Sequence, residues 1–181
     1  MSRGWLVYSL AGAAIAALAG CTQANASPAH PEGPVVDTAD ILPPEAEAAL
    51  DKKLRDYFDK NRTALIVASV DSLGGQPIEK VSLRMAEEWD IGDARTHRGL
   101  LVLVAPNERE VRIEVSCGLE SVITDVAAGR VIREDMIPLF KQGDIAQATV
   151  AGVDALIGRM DAGPNPAPVS ESCKALMKEA A

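Results

Sequence analysis

The chain has 181 residues, with 26 acidic against 18 basic side chains and a formal net charge of −8 at pH 7. That balance excludes nucleic acid or anionic lipid headgroups as partners held by electrostatics, because an acidic surface repels a polyanion. Aromatic residues make up 3%, too few for an aromatic sugar-binding platform, and the length suits one ordinary domain with its own core.

Arg3 stands ahead of an apolar run from Trp5 to Leu18, which closes on Leu18-Ala19-Gly20-Cys21. A basic start, a short apolar stretch and small residues before a cleavage point read as a secretory signal peptide. A spanning helix needs about 20 apolar residues. The Leu-Ala-Gly-Cys ending resembles the bacterial lipobox, which implies removal of residues 1–20 and acylation of the Cys21 thiol. The plainer alternative is a signal peptide with an incidental cysteine. Acyl chains contribute about 0.8 kcal/mol per buried CH₂, so two or three anchor a soluble domain stably. The expected location is the periplasm, anchored to the bacterial membrane at Cys21. Thr22 in place of Asp favours the outer over the inner membrane. Losing Arg3 with the leader makes the remaining chain one unit more negative. That suits divalent cations or a basic protein partner, although an acidic surface more often serves solubility alone.

Beyond Cys21 two cysteines remain, Cys117 and Cys173. An even pair in an exported chain predicts a disulfide joining the C-terminal tail to the middle of the domain. Closing that loop contributes about 4 kcal/mol in the chain-entropy description. Free thiols or a metal pair are the alternatives. The metal pair is poorly supplied, since His30 and His97 are the only histidines and neither has ligand spacing.

Residues 21–34 are small, polar and Pro-rich and predict a flexible tether, with His30 inside it. Order starts near Val35, and the domain is expected over 35–160, followed by an extension over 161–181. Leu42-Pro43-Pro44-Glu45 marks a helix start, with proline in the first turn and acids at the positive end of the dipole. Leu50, Leu54, Tyr57 and Phe58 follow at helical spacing. Ala64 to Val70 is a continuous apolar run, as in a strand buried on both faces. Pro77 opens a second helix with Ile78, Val81, Met85 and Trp89 on one face, which reads as core. Leu100 to Ala105 is a second buried strand. A turn at Pro106-Asn107-Glu108-Arg109 leads into Glu110–Ser116, whose strict alternation marks a strand with one wet face, antiparallel to the previous one. A helix from Val126 to Ile137 is expected to end near Pro138. Another opens at Asp144, with Gln147 three residues later as in a capping box. The Pro-rich stretch from Ala162 reads as a linker, and Ser170–Ala181 as a short helix held by Cys173. The order predicts a small α/β three-layer sandwich with a mixed sheet.

The chain lacks a Gly-rich phosphate loop, a Gly-x-Ser-x-Gly elbow, paired metal-binding histidines and an EF-hand loop. The remaining candidates are carboxylates near sharp turns. If the second helix runs antiparallel to the strand after it, one rim collects Asp90, Asp93, Arg95, His97, Arg98, Glu120 and Asp125. Oxygen ligands from several turns suit Ca²⁺, which takes six to eight oxygens. The alternative is structural: Thr124 or Asp125 caps the following helix, and Asp90 and Asp93 shape a turn.

The same residues carry a resemblance. Val36-Asp37-Thr38-Ala39-Asp40-Ile41-Leu42, Trp89-Asp90-Ile91-Gly92, Gly99-Leu100-Leu101-Val102-Leu103-Val104, Arg112–Glu120 through Thr124-Asp125, and Ile137-Pro138-Leu139-Phe140 with Gly143-Asp144 together resemble the TPM domain family over about residues 35–160. The resemblance implies a Rossmann-like sandwich, exported and membrane-tethered. It further implies an association with acid phosphatase activity, Ca²⁺ binding, or assembly and repair of membrane-protein complexes. Two positions depart from the family pattern: Ser116-Cys117-Gly118 replaces its Gly-x-Gly, and His97-Arg98 stands where it carries Asn before Gly99.

The resulting expectation is a lipid-anchored periplasmic module supporting membrane-protein complex assembly or envelope maintenance, with a membrane or envelope protein as partner and Ca²⁺ as the candidate ion. Asp90, Asp93, Glu120 and Asp125 are its candidate ligands, with Asp37 as a lower-ranked co-ligand because topology puts it at the far end of the sheet. The alternative is an acid phosphatase. There Glu120 and Asp125 would act as acid, base or metal ligands, and Arg95 or Arg98 would hold the phosphoryl oxygens.

Overall fold

The computed structural model describes residues 31–92, 96–164 and 168–179. The leader, Cys21, His30, Asp93 and Arg95 lie outside the described residues. The elements are β1 (Val35–Asp37), α1 (Pro44–Asn61), β2 (Ala64–Ser69), α2 (Ile78–Glu88), β3 (Gly99–Ala105), β4 (Glu110–Val115), α3 (Asp125–Val131), a π-helical turn (Ile132–Met136), α4 (Ile137–Lys141), α5 (Ile145–Ala162) and α6 (Glu171–Glu179). No helix among the described residues is long and apolar enough to cross a membrane.

The strands form one mixed sheet in the order β1-β2-β3-β4. β1, β2 and β3 are parallel, and β4 is antiparallel to β3, with Val102 opposite Ile113 and Leu101 opposite Glu114. β1 was not legible in the sequence: three residues are too few to display a period of two.

Each face of the sheet carries its own core. Leu65, Val67, Leu100, Val102, Val104 and Ile113 pack against Leu50 and Leu54 of α1, Met136 of the π turn and Val153 and Leu156 of α5. Ala68, Leu101, Leu103 and Ala105 lie under Ile78, Val81 and Met85 of α2. Two covered faces explain the unbroken apolar runs of β2 and β3. The outer residues of β4 are not simply wet. Glu114 accepts from Ser82 Oγ of α2 (2.9 Å) and from Arg112 Nε (3.2 Å).

The two parallel crossovers step the same way across the sheet, yet α1 covers one face and α2 the other. For a fixed strand direction, changing the face reverses the hand. One crossover is therefore left-handed, against the roughly 98% that are right-handed.

The helix expected to end near Pro138 instead continues to Lys141. Pro138 lacks an N–H and would break a regular α ladder. The wide turn just before it, in which Ile137 N–H donates to Ile132 O, lets the chain pass. The extra residue also drives Met136, which is 0% exposed, onto Gly152 of α5.

Candidate functional site

Three segments meet at the end of the sheet where β3 begins. Ser116 donates from its N–H to Gly99 O (2.9 Å) and from its hydroxyl to Ile91 O (3.1 Å), and Gly118 N–H donates to His97 O (3.0 Å). The backbones approach so closely that a Cβ on Gly118 would lie 2.1 Å from Thr96 O, and one on Gly99 would lie 2.3 Å from Ile91 O. Both glycines are required by this contact. Leu119 and Ile123, fully buried, plug the turn into the core.

The segments bearing Asp90, His97, Arg98 and Glu120 thus meet by backbone contact, while Asp93 and Arg95 of the expected rim lie outside the described residues. Asp90 sits in the left-handed region (φ 47°) at the end of α2. Its N–H donates to Glu87 O while Ile91 N–H donates to Ala86 O, the Schellman pattern that closes a helix. Thr124 Oγ1 accepts from Ala127 N–H and caps α3, leaving Asp125 exposed in its first turn. Glu120 is exposed on the turn. Arg98 is half-buried and donates from Nε to the buried Thr63 Oγ1 at 3.0 Å. His97 has φ 46°, a conformation in which Asn, Asp and His are all enriched; this accounts for its standing at the family's Asn position.

Asp37 lies at the opposite, carboxyl end of the sheet. Its carboxylate accepts from Ile41 N–H (3.1 Å), Leu42 N–H (2.8 Å) and Ser69 Oγ, and so fixes the turn from β1 into α1. Among the described residues no three His, Cys, Asp or Glu side chains are grouped so as to hold a metal ion. Asp93, the remaining candidate ligand, lies outside the described residues. The rim carboxylates sit as exposed turn and helix-start residues, and Asp37 is taken up by its own turn.

Behind the rim, Tyr57 donates to Asp161 Oδ1 (3.2 Å). Burial, followed by the Asp161 charge and hydrogen bond, pushes its phenol up to about 12 against the pull of Arg98. Asp90 also lines a hollow of about 390 Å³ with Asp59, Trp89 and Glu32.

A wider opening lies elsewhere. A cleft of about 980 Å³ opens beside the carboxyl end of β3, floored by Val104, Ile132, Ile137, Phe140 and Ile145 and edged by Arg109 and Lys141 as well as Glu79 and Glu110. Its volume is at the upper end of the usual ligand-pocket range, roughly 300–1,000 Å³. One wall is firmly built. Glu108 in the β3–β4 turn accepts from Leu73 N–H (2.9 Å) and Ser72 Oγ (3.0 Å), and Asn107 donates to Asp71 O (2.8 Å). The Leu73 bond holds the Glu108 carboxyl below its ordinary range against the opposing effect of burial, and the Ser72 bond adds to it. Sequence reasoning missed this cleft because its floor is assembled across the π turn, where helical spacing breaks. The signal available was the proline inside a helical pattern.

The TPM domain profile matches residues 35–159. The N-terminal domain of a P. gingivalis protein is similar in structure, with TM-score 0.67 and 30% identity over 71% of this chain and 82% of that one. The N-terminal domain of the cg2496 protein from Corynebacterium glutamicum has TM-score 0.56 at 18% identity, covering 72% of this chain and 81% of its own. The BA42 protein of Bizionia argentinensis has TM-score 0.55 at 19% identity, covering 72% and 87%. No curated protein matches the chain. With the sheet, the glycine contacts and the family profile in agreement over most of its length, the chain belongs to the TPM domain family.

Proposed function

We propose that this chain is a lipid-anchored periplasmic module that supports assembly of membrane-protein complexes or maintenance of the envelope, acting by binding and not by turnover. The observation that carries this reading is the contrast between the two ends of the sheet. At one end the candidate carboxylates among the described residues sit on turns and helix starts and form no group of three. At the other, an apolar-floored cleft lies beside the pinned β3–β4 turn, whose Pro106 and Arg109 line it. Its mixed cationic and anionic edge suits an apolar side chain presented by a polar segment of a membrane or envelope protein. Cys21 supplies the tether that keeps the module at that surface.

Fractionation of the native host with the wild type, Cys21→Ser and Phe140→Asp tests it. Cys21→Ser is expected in the soluble fraction. Phe140→Asp is expected to stay at the membrane but to lose co-migration with a membrane-protein complex. Phosphomonoester hydrolysis at acidic pH that Asp125→Asn abolishes in a folded domain would overturn this reading in favour of an acid phosphatase.

A further inference from the structure

Cys117 and Cys173 are joined by a disulfide, with Cα atoms 5.6 Å apart. We propose that this bond is a redox latch that holds α6 against the 116–123 turn and lets it go when reduced.

Four observations converge. First, α6 is a separable piece: the family match ends at residue 159, and among the described side chains beyond α5 only Cys173 is buried. Second, α6 packs extensively against no other helix or strand among the described residues. Apart from the disulfide, the segment leading into it is tied to the turn by Ser121 Oγ donating to Pro168 O (2.6 Å). Third, α6 has nine residues, shorter than the roughly 12–15 at which an isolated helix becomes marginal in water. Once freed it lacks the length to stay folded. Fourth, the two sulfurs differ in access. Cys173 is 0% exposed, whereas Cys117 is half-buried on the turn, so an incoming thiolate reaches the bond from the Cys117 side.

The chemistry is thiol–disulfide exchange with a dithiol reductant. Its thiolate attacks the Cys117 sulfur, the S–S bond breaks, and Cys173 leaves as a thiolate and takes a proton. The second thiol of the reductant then closes its own disulfide and releases Cys117, so two electrons and two protons are transferred in all. The turn thereby loses its covalent hold on α6, leaving only the Ser121–Pro168 hydrogen bond between it and the segment leading into that helix. The departure at Ser116-Cys117-Gly118 from the family pattern acquires a purpose, since it places one half of the latch on the turn.

Hydrogen–deuterium exchange on the whole oxidised chain, on the same protein with dithiothreitol, and on Cys173→Ser and Cys117→Ser tests this. Reduction and either substitution are expected to bring amides 171–179 to the rate of an unstructured peptide and to speed exchange over 116–123. Amides of β2 and β3 keep their protection. Retained protection of α6 after reduction would overturn the latch. So would collapse of β2 and β3 protection, which would make the bond a structural staple. Alkylation of the unreduced chain at Cys117 and Cys173 would overturn it as well.

Discussion

Gly118 and Gly158 separate contact from conformation. A Cβ on Gly118 meets a backbone oxygen at 2.1 Å that no rotamer change can move, whereas one on Gly158, within α5, meets nothing within 4 Å. Gly118→Ala is expected to destabilise by about 3 kcal/mol and Gly158→Ala to stabilise by about 0.5–1 kcal/mol, both read by denaturant unfolding. Carboxylates divide in the same way. Asp37→Ala removes the acceptor of two backbone N–H groups and a hydroxyl and should cost about 2–3 kcal/mol. Exposed Glu120→Ala should stay within about 0.5 kcal/mol of wild type. Equal effects at the two positions would contradict these assignments. Tyr57 gives a pH signature. Its folded pKa is raised from 10.0 to about 12, so the unfolded chain loses its proton first as the pH rises. The stability it contributes is complete below pH 10 and is lost as the pH climbs towards 12. Tyr57→Phe should abolish that loss. Removal of residues 1–20 would leave Tyr57 as the sole tyrosine for spectrophotometric titration.

At the scale of elements, the β3–β4 turn is where electrostatics supports architecture. The Glu108 carboxyl is held below its ordinary 4.5 by the Leu73 and Ser72 bonds. Its contribution is present above pH 4.5 and lost as the pH falls through the lower folded value. Glu108→Gln should flatten that part of the acid melting profile, and high salt should weaken the wild-type effect little, because the partners are neutral dipoles. The elements that were legible in the sequence have a plain period or a plain punctuation. α1 shows Pro44 and its Leu50, Leu54, Tyr57 stripe, β3 its apolar run, and β4 its alternation. Those that were not have neither. β1 is three residues long, and the helix through Pro138 survives a residue that ordinarily ends one because a π turn precedes it. The candidate site was legible as a meeting of loops, since two glycines and a turn fixed it locally. Where its carboxylates point was not, because that depends on Schellman and capping geometry decided after the segments meet.

Across the whole molecule, the sheet has two differently furnished ends. Residues 31–34, which lead into β1, line the hollow beside Asp90 and Gly92, at the end of the sheet opposite Asp37 and the apolar cleft. The segment before β1 thus leaves the sheet on the side away from the cleft. The crossovers of opposite hand place α1 and α2 on different faces, so α2 and the helices after β4 flank the carboxyl end of β3 from both sides. The cleft follows from that arrangement and not from any single loop.

The most direct test of the binding role is site-specific photocrosslinking in the native host, with the reactive group placed at Lys141 on the cleft edge or at Glu120 on the opposite rim. Both positions are exposed and leave the core untouched. A discrete adduct with one membrane or envelope protein from Lys141, absent from Glu120, is the predicted result. Adducts from Glu120 alone, or none from Lys141 in correctly anchored protein, would contradict it.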